Sequence, residues 1–190
     1  MDYLQENERL NGAIRYAVDQ HQGQMRKGSN RPYIVHPLEV MTILMNMGGD
    51  TNLMIAGLLH DTMEDTGATR QDIEEQFGPD VAALVAGHSE DKSKSWQERK
   101  STAIEHLRRA DRRMKLLVLA DKVSNMRSGV LDHRAMGEAL WDRFNAPKER
   151  QRWYYTGILD ALRDMKTDRL AAPFYGELER MFNELFGEEP

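Results

Sequence analysis

Leu58-Leu59-His60-Asp61-Thr62-Met63-Glu64-Asp65-Thr66 decides how the rest of the chain is read. An apolar run that reads as a buried helix ends on two side chains that bind metal, His60 when neutral and Asp61 when ionised. Burying a charge without a partner is costly, and a metal ion is one of the few partners that compensates it fully. Glu64 and Asp65 follow one helical turn later, on the same flank if the helix continues through the pair. Two potential ligands beside two potential acid/base groups mark a site rather than a surface.

Working outward, the pattern is helical nearly throughout. Leu10, Ile14, Ala17 and Val18 give Leu4 to Gln20 one apolar face. A Gly-, Ser- and Asn-rich loop from Gly23 to Pro32 carries the basic pair Arg26-Lys27, and Pro37 suits the first turn of a helix running to Met47. Gly48-Gly49 ends that helix, and Asp50 or Thr51 caps the one leading to His60. Helices are expected over Thr69–Phe77, from Pro79 to Gly87, over Trp96–Ala110 and Arg112–Arg127, and over Pro147–Met165 and Phe174–Phe186. Residues 89–95 read as a charged loop over one face, and 129–137 are ambiguous. Val and Ile are sparse and no β-type alternation persists, so the expectation is all-α. It is a single domain over 1–190, a bundle of about eight to ten helices with its motif-bearing core at about 10–166 and a last helix at 173–187.

At 190 residues the chain is long enough for one core. Its net charge of −5 argues against a general nucleic-acid binder. Without cysteine, disulfides, thiolate nucleophiles and Cys-type zinc sites are excluded. No secretory leader or membrane-length apolar stretch is visible, so a cytoplasmic protein with no membrane partner is expected. Oligomeric state is not legible.

Two further anomalies join His60-Asp61. His36 stands between Ile34-Val35 and Pro37 at a helix entrance, and Asp121 interrupts the apolar face of the helix through Leu116-Leu117-Val118-Leu119-Ala120. Two imidazoles and two carboxylates suit a first-row divalent ion such as Mn²⁺, Fe²⁺ or Zn²⁺. Each residue also has an ordinary reading: His36 as a capping group, Asp121 as an ion pair with Lys122 or Arg127, Glu64-Asp65 as a solvated helix end, Arg26-Lys27 as a solvated loop. His21, His88, His106 and His133 take the ordinary reading entirely, since none sits beside a carboxylate within an apolar stretch.

The motifs His21-Gln22-Gly23-Gln24-Met25-Arg26-Lys27, Pro32-Tyr33-Ile34-Val35-His36-Pro37, His60 to Thr66, and Ala120-Asp121-Lys122-Val123-Ser124-Asn125-Met126-Arg127 follow one another in an order and spacing that resembles the HD phosphohydrolase superfamily. The resemblance is to the hydrolase half of RelA/SpoT proteins, from about His21 to Tyr155. Glu90-Asp91-Lys92-Ser93 and Glu98-Arg99-Lys100 are similar to the small stand-alone alarmone hydrolases. It implies a helical HD fold, a single Mn²⁺ (another divalent first-row ion being compatible), and removal of the 3′-pyrophosphate from (p)ppGpp to leave GDP or GTP. It further implies His36, His60, Asp61 and Asp121 as metal ligands and Glu64 and Asp65 as the water-activating pair. Arg26 and Lys27 match basic residues near the nucleotide, and Asn125 matches a residue that helps hold its sugar. Lys148 is added as a phosphate contact, from an alignment uncertain by a few residues.

The chain departs from the pattern where Trp96 replaces a lysine carried by some small members, which leaves the phosphate contacts of the 88–96 loop open, with Lys92 or Lys94 as substitutes. Nothing in the 23–31 loop distinguishes guanine from adenine, because arginine stacking is indifferent to base identity. Adenosine alarmones, NADPH or another nucleotide are therefore the alternative substrates, and a silent nucleotide-binding regulatory module is the non-enzymatic alternative.

Overall fold

The computed structural model describes residues 3–187. Ten α-helices follow in order: α1 Tyr3–Gln20, α2 Val35–Asn46, α3 Thr51–Leu59, α4 Thr62–Asp65, α5 Arg70–Phe77, α6 Pro79–His88, α7 Trp96–Arg109, α8 Arg112–Met136, α9 Lys148–Ala161 and α10 Ala172–Phe186. Short 3-10 stretches, Gly137–Arg143 and Arg163–Thr167, flank α9. No strand occurs among the described residues; a lone antiparallel bridge, Met25 to Pro32, closes the basic loop. The all-α expectation is met.

Most boundaries follow local chemistry. The Asp50 carboxylate accepts from Leu53 N at 2.8 Å to start α3, and Asp111 accepts from Met114 N at 2.9 Å to start α8. Thr69 with Asp72, and Ser95 with Glu98, form reciprocal capping boxes at α5 and α7. Gly48, at φ 73°, ends α2 in a conformation that a side chain would strain.

The apolar helix α3 lies at the centre, with Leu53, Ile55, Ala56, Leu58 and Leu59 at most 1% exposed. Gly57 lets α2 approach closely; a Cβ there would stand 2.5 Å from Leu44 Cδ1 and 3.3 Å from Val40 Cγ1. The middle of α8 is buried all round, from Lys115 to Asp121, rather than along one stripe. Every residue of that stretch therefore has a packed neighbour, and its one carboxylate must find polar partners inside the protein.

Three expectations are corrected. The helix through Leu58 does not continue through the His-Asp pair: α3 stops at Leu59 and a single turn, α4, restarts at Thr62. The ambiguous 129–137 segment is the continuation of α8 to Met136. The helix expected over 147–165 stops at Ala161 and passes into the second 3-10 stretch.

Candidate metal centre and its cleft

The centre starts at the junction of α3 and α4. His60 and Asp61 keep right-handed helical backbone angles there, and their side chains reach the same space, His60 Nε2 standing 3.0 Å from Asp61 Oδ2. The first turn of α2 brings His36, and the buried middle of α8 brings Asp121. His36 Nε2 lies 3.2 Å from His60 Nε2, 3.3 Å from Asp121 Oδ1 and 3.5 Å from Asp61 Oδ2; His60 Nε2 lies 3.7 Å from Asp121 Oδ1.

Backing groups fix which nitrogen faces inward. His60 Nδ1 is 2.8 Å from the carbonyl oxygen of Gly57, which can only accept, so Nδ1 carries the hydrogen. Ser124 Oγ donates to Glu39 Oε2 at 2.6 Å and so accepts from His36 Nδ1 at 2.8 Å. With Nδ1 turned to its backing group in each ring, Nε2 is the nitrogen that His36 and His60 both direct to the same point, between two carboxylates. Donors about 2.1 Å from one cation stand roughly 3.0 to 3.4 Å apart at octahedral to tetrahedral angles. The spacings among His36, His60 and Asp121 run close to that range, so these three can hold one divalent ion, and Asp61 Oδ2 borders the same point at 3.0 Å from His60 Nε2 and 3.5 Å from His36 Nε2.

The electrostatics favour positive charge there. Burial alone would lower the His60 imidazole, but Asp61 and Asp121 outweigh it and hold it well above its ordinary value. Burial would raise Asp121, yet Lys122 and the two imidazoles hold it well below the usual carboxylate range; Asp61 is lowered likewise by His60 and His36. Lys122 Nζ donates to Asp121 Oδ2 at 2.7 Å, the pairing the ordinary reading anticipated, but Oδ1 still faces the imidazoles. Arg127 pairs not with Asp121 but with Glu39, behind Ser124, and with Glu177.

The acidic pair divides. Glu64 lines the cavity above the centre, accepts from Glu90 N at 2.8 Å, and is raised by burial and by Asp61. Asp65 is not among the residues lining it; it is a third exposed and paired with Lys92 at 3.0 Å. The cavity, about 410 Å³, adjoins a second of about 320 Å³, and Tyr33, Lys100, Lys122, Asn125 and Tyr154 line both. Arg26 and Lys27 enter from the second chamber, held by the hairpin-like bridge: Arg26 donates to Asn125 Oδ1 at 3.1 Å and Lys27 to Asn145 Oδ1 at 3.1 Å. Asn125 donates to Asp121 Oδ1 at 2.5 Å, one turn along α8 as its spacing implies. Lys148 does not join them. It donates to Glu138 at 2.8 Å, lies over the Trp141 ring and lines neither chamber.

Several residues here escaped the sequence reading. The Tyr33 hydroxyl donates to Asp61 Oδ2, and burial pushes its pKa up. Lys100 and Lys122 stand over the Tyr154 ring at 4.8 and 5.4 Å. Trp96 lines the second chamber, and Lys94 the first, while Lys92 is taken by Asp65 and the Glu64 carbonyl. His88, given an ordinary reading from the sequence, is buried next to the centre: the last residue of α6 packs its ring on His60, 5.1 Å between centroids, and burial pushes its pKa down to about 4. Its only sequence signal is its place at the end of an apolar helix.

A family model described as HD domain matches residues 13–139. Curated relatives include the guanosine-3′,5′-bis(diphosphate) 3′-pyrophosphohydrolase MESH1 of Xenopus tropicalis, 43% identical over 60% of this chain and 66% of that protein. The GTP pyrophosphokinase rsh of Brucella ovis is 42% identical over 63% of this chain; the chain spans only 16% of its length. Among solved structures, a metazoan SpoT ortholog described as hydrolysing ppGpp is 32% identical with a TM-score of 0.76, covering 95% of this chain and 97% of that one. A Listeria monocytogenes protein, lmo0812, is 36% identical with a TM-score of 0.74, covering 80% and 99%. With two thirds of its length under that family model and near-complete overlap with solved relatives, the chain belongs to the HD domain family.

Proposed function

We propose that this protein is a metal-dependent phosphohydrolase that removes the 3′-pyrophosphate of guanosine alarmones, (p)ppGpp, leaving GDP or GTP, with residues 1–190 acting as one hydrolase domain. The observation that carries this reading is a pair of adjoining chambers: a His36–His60–Asp121 group able to hold a cation, bordered by Asp61, at the floor of one, and a basic, aromatic chamber that shares Lys100, Lys122 and Tyr154 with it. The names of the relatives point to the same substrate.

His36, His60, Asp61 and Asp121 hold the divalent cation, Mn²⁺ on the family pattern. When bound, it supplies Lewis acidity and offsets charge at the reacting phosphoryl group. Glu64 takes the proton of the attacking water; its raised pKa brings it nearer the working pH of a base. Asp65, held by Lys92, steadies the α4 turn that aims Glu64. The water oxygen bonds to the phosphorus attached to the 3′ oxygen, that P–O bond breaks, and the 3′ oxygen takes up a proton as pyrophosphate leaves. Lys100 and Lys122 face the pyrophosphate charge, while Arg26, Lys27 and Asn125 hold the nucleoside side of the substrate.

Purified protein supplied with Mn²⁺ should release pyrophosphate and GDP from ppGpp, in preference to (p)ppApp and NADPH. Glu64→Gln should lower kcat by roughly 10²- to 10⁴-fold, the usual contribution of a general base. Equal rates for the variant and the parent would defeat the mechanism, and a preference for NADPH would defeat the substrate assignment.

A further inference from the structure

The His88 imidazole is buried beside the centre with nothing to explain it. Its side chain is 10% exposed and its Nδ1 has no hydrogen-bond partner, unlike the Nδ1 atoms of His36 and His60. Nε2 lies 3.6 Å from Asp121 Oδ2, too far for a hydrogen bond. Burying an imidazole with a polar atom unsatisfied is costly, where an apolar side chain at the end of α6 would cost nothing of the kind. The placement is nonetheless specific: His60 is flanked edge-on by His36 at 5.0 Å and 72°, and by His88 at 5.1 Å and 77°. Donor atoms of His60, Asp61 and His88 lie within 4.8 Å of one another, as do those of His36, His60 and Asp121.

We propose that His88 is a fifth protein donor to this cation site, a third imidazole that shifts its preference from Mn²⁺ toward ions such as Co²⁺, Fe²⁺ or Zn²⁺. Carboxylate and water suit Mn²⁺, whereas imidazole suits the later first-row ions, so replacing an oxygen donor by nitrogen moves relative affinity along that series. The proposal rests on the cation-site reading given above.

Metal-free parent, His88→Leu and His88→Gln proteins, titrated with Co²⁺ and Mn²⁺ by calorimetry, test it, together with the visible absorption of the Co²⁺ forms. In both variants Co²⁺ affinity should fall by about tenfold or more, Mn²⁺ affinity by less than about threefold, and the Co²⁺ bands should change in position and intensity. Metal-free His88→Leu should melt at or above the parent temperature, since no imidazole is then buried unsatisfied; His88→Gln gives an independent reading if the leucine variant folds poorly. Superimposable Co²⁺ isotherms and spectra for parent and variants would overturn the proposal while leaving the four-donor site standing, and so would two ions bound per chain. A parent that binds neither ion would remove the cation site itself, and this proposal with it.

Discussion

Floor and rim of the cleft are both built from polar and ionisable side chains, under opposite constraints. At the floor, His36, His60 and Asp121 are at most 3% exposed, and each backs onto a partner: Ser124 and Glu39 behind His36, the Gly57 carbonyl behind His60, Lys122 and Asn125 at Asp121. At the rim and just outside it, Lys94, and then Lys92 and Lys148, have side chains 50%, 53% and 32% exposed, each on a carboxylate that water also reaches. A buried polar group left unpaired costs a few kcal/mol, so the floor has one workable arrangement. An exposed ion pair contributes about 0–1 kcal/mol, so a rim lysine is free to exchange partners. The floor is therefore specified by the fold, and the rim only by proximity.

The sharpest way to break that contrast is at Asp121. Asp121→Asn removes a carboxylate facing two imidazoles, and Mn²⁺ affinity should fall by on the order of a hundredfold or more, beyond what losing an outer partner does. It also leaves Lys122 buried without its carboxylate, so the metal-free protein should lose about 3 kcal/mol in chemical denaturation. Calorimetric titration and urea melts read the two effects separately. Unchanged affinity would mean that the cation does not sit at the floor.

One layer back, Ser124 relays Glu39 to His36. Ser124→Ala frees the His36 ring and removes the acceptor of its Nδ1 hydrogen. Mn²⁺ affinity should drop roughly tenfold, the lower end for lost outer partners, with a stability cost of about 1–2 kcal/mol. A variant that binds Mn²⁺ as tightly as the parent would show that the tautomer is held by some other group.

How much of this was legible in the sequence follows the same division. His36, His60, Asp61 and Asp121 stood out because each interrupts or borders an apolar run, where an unpaired polar group is expensive; burial made them readable. The helices were readable for a related reason, since apolar periodicity and caps such as Asp50 and Thr69 act locally. The break at His60-Asp61 was not, because no Gly or Pro marks it and both residues keep helical backbone angles. His88 was missed because nothing near it in sequence is acidic: its neighbours Asp121 and His60 arrive from other helices. Tyr33 was quoted in a motif without a role, since a single phenol carries no periodic signal.

The rim offers the smallest effect and the cleanest discrimination. Lys148 was expected at a phosphate because the last part of the resemblance brings bases and aromatics together, but that alignment is loose by a few residues, about one helical turn. The structure puts its ammonium on Glu138, itself 67% exposed, outside both chambers, whereas Lys100 lines both and pairs with Glu90 at 2.7 Å beside the Tyr154 ring. Lys148→Ala should therefore change KM for ppGpp by less than about twofold and stability by under about 0.5 kcal/mol, as for an exposed pair. Lys100→Met should raise KM about tenfold or more, the scale of one charge-assisted contact to phosphate. The pair of substitutions matters more than either alone. A large KM effect at Lys148 with none at Lys100 would mean that the start of α9 swings inward when substrate binds. The rim geometry without substrate would then misplace the phosphate contacts, while the floor, with no exposed partner to exchange, would be unaffected.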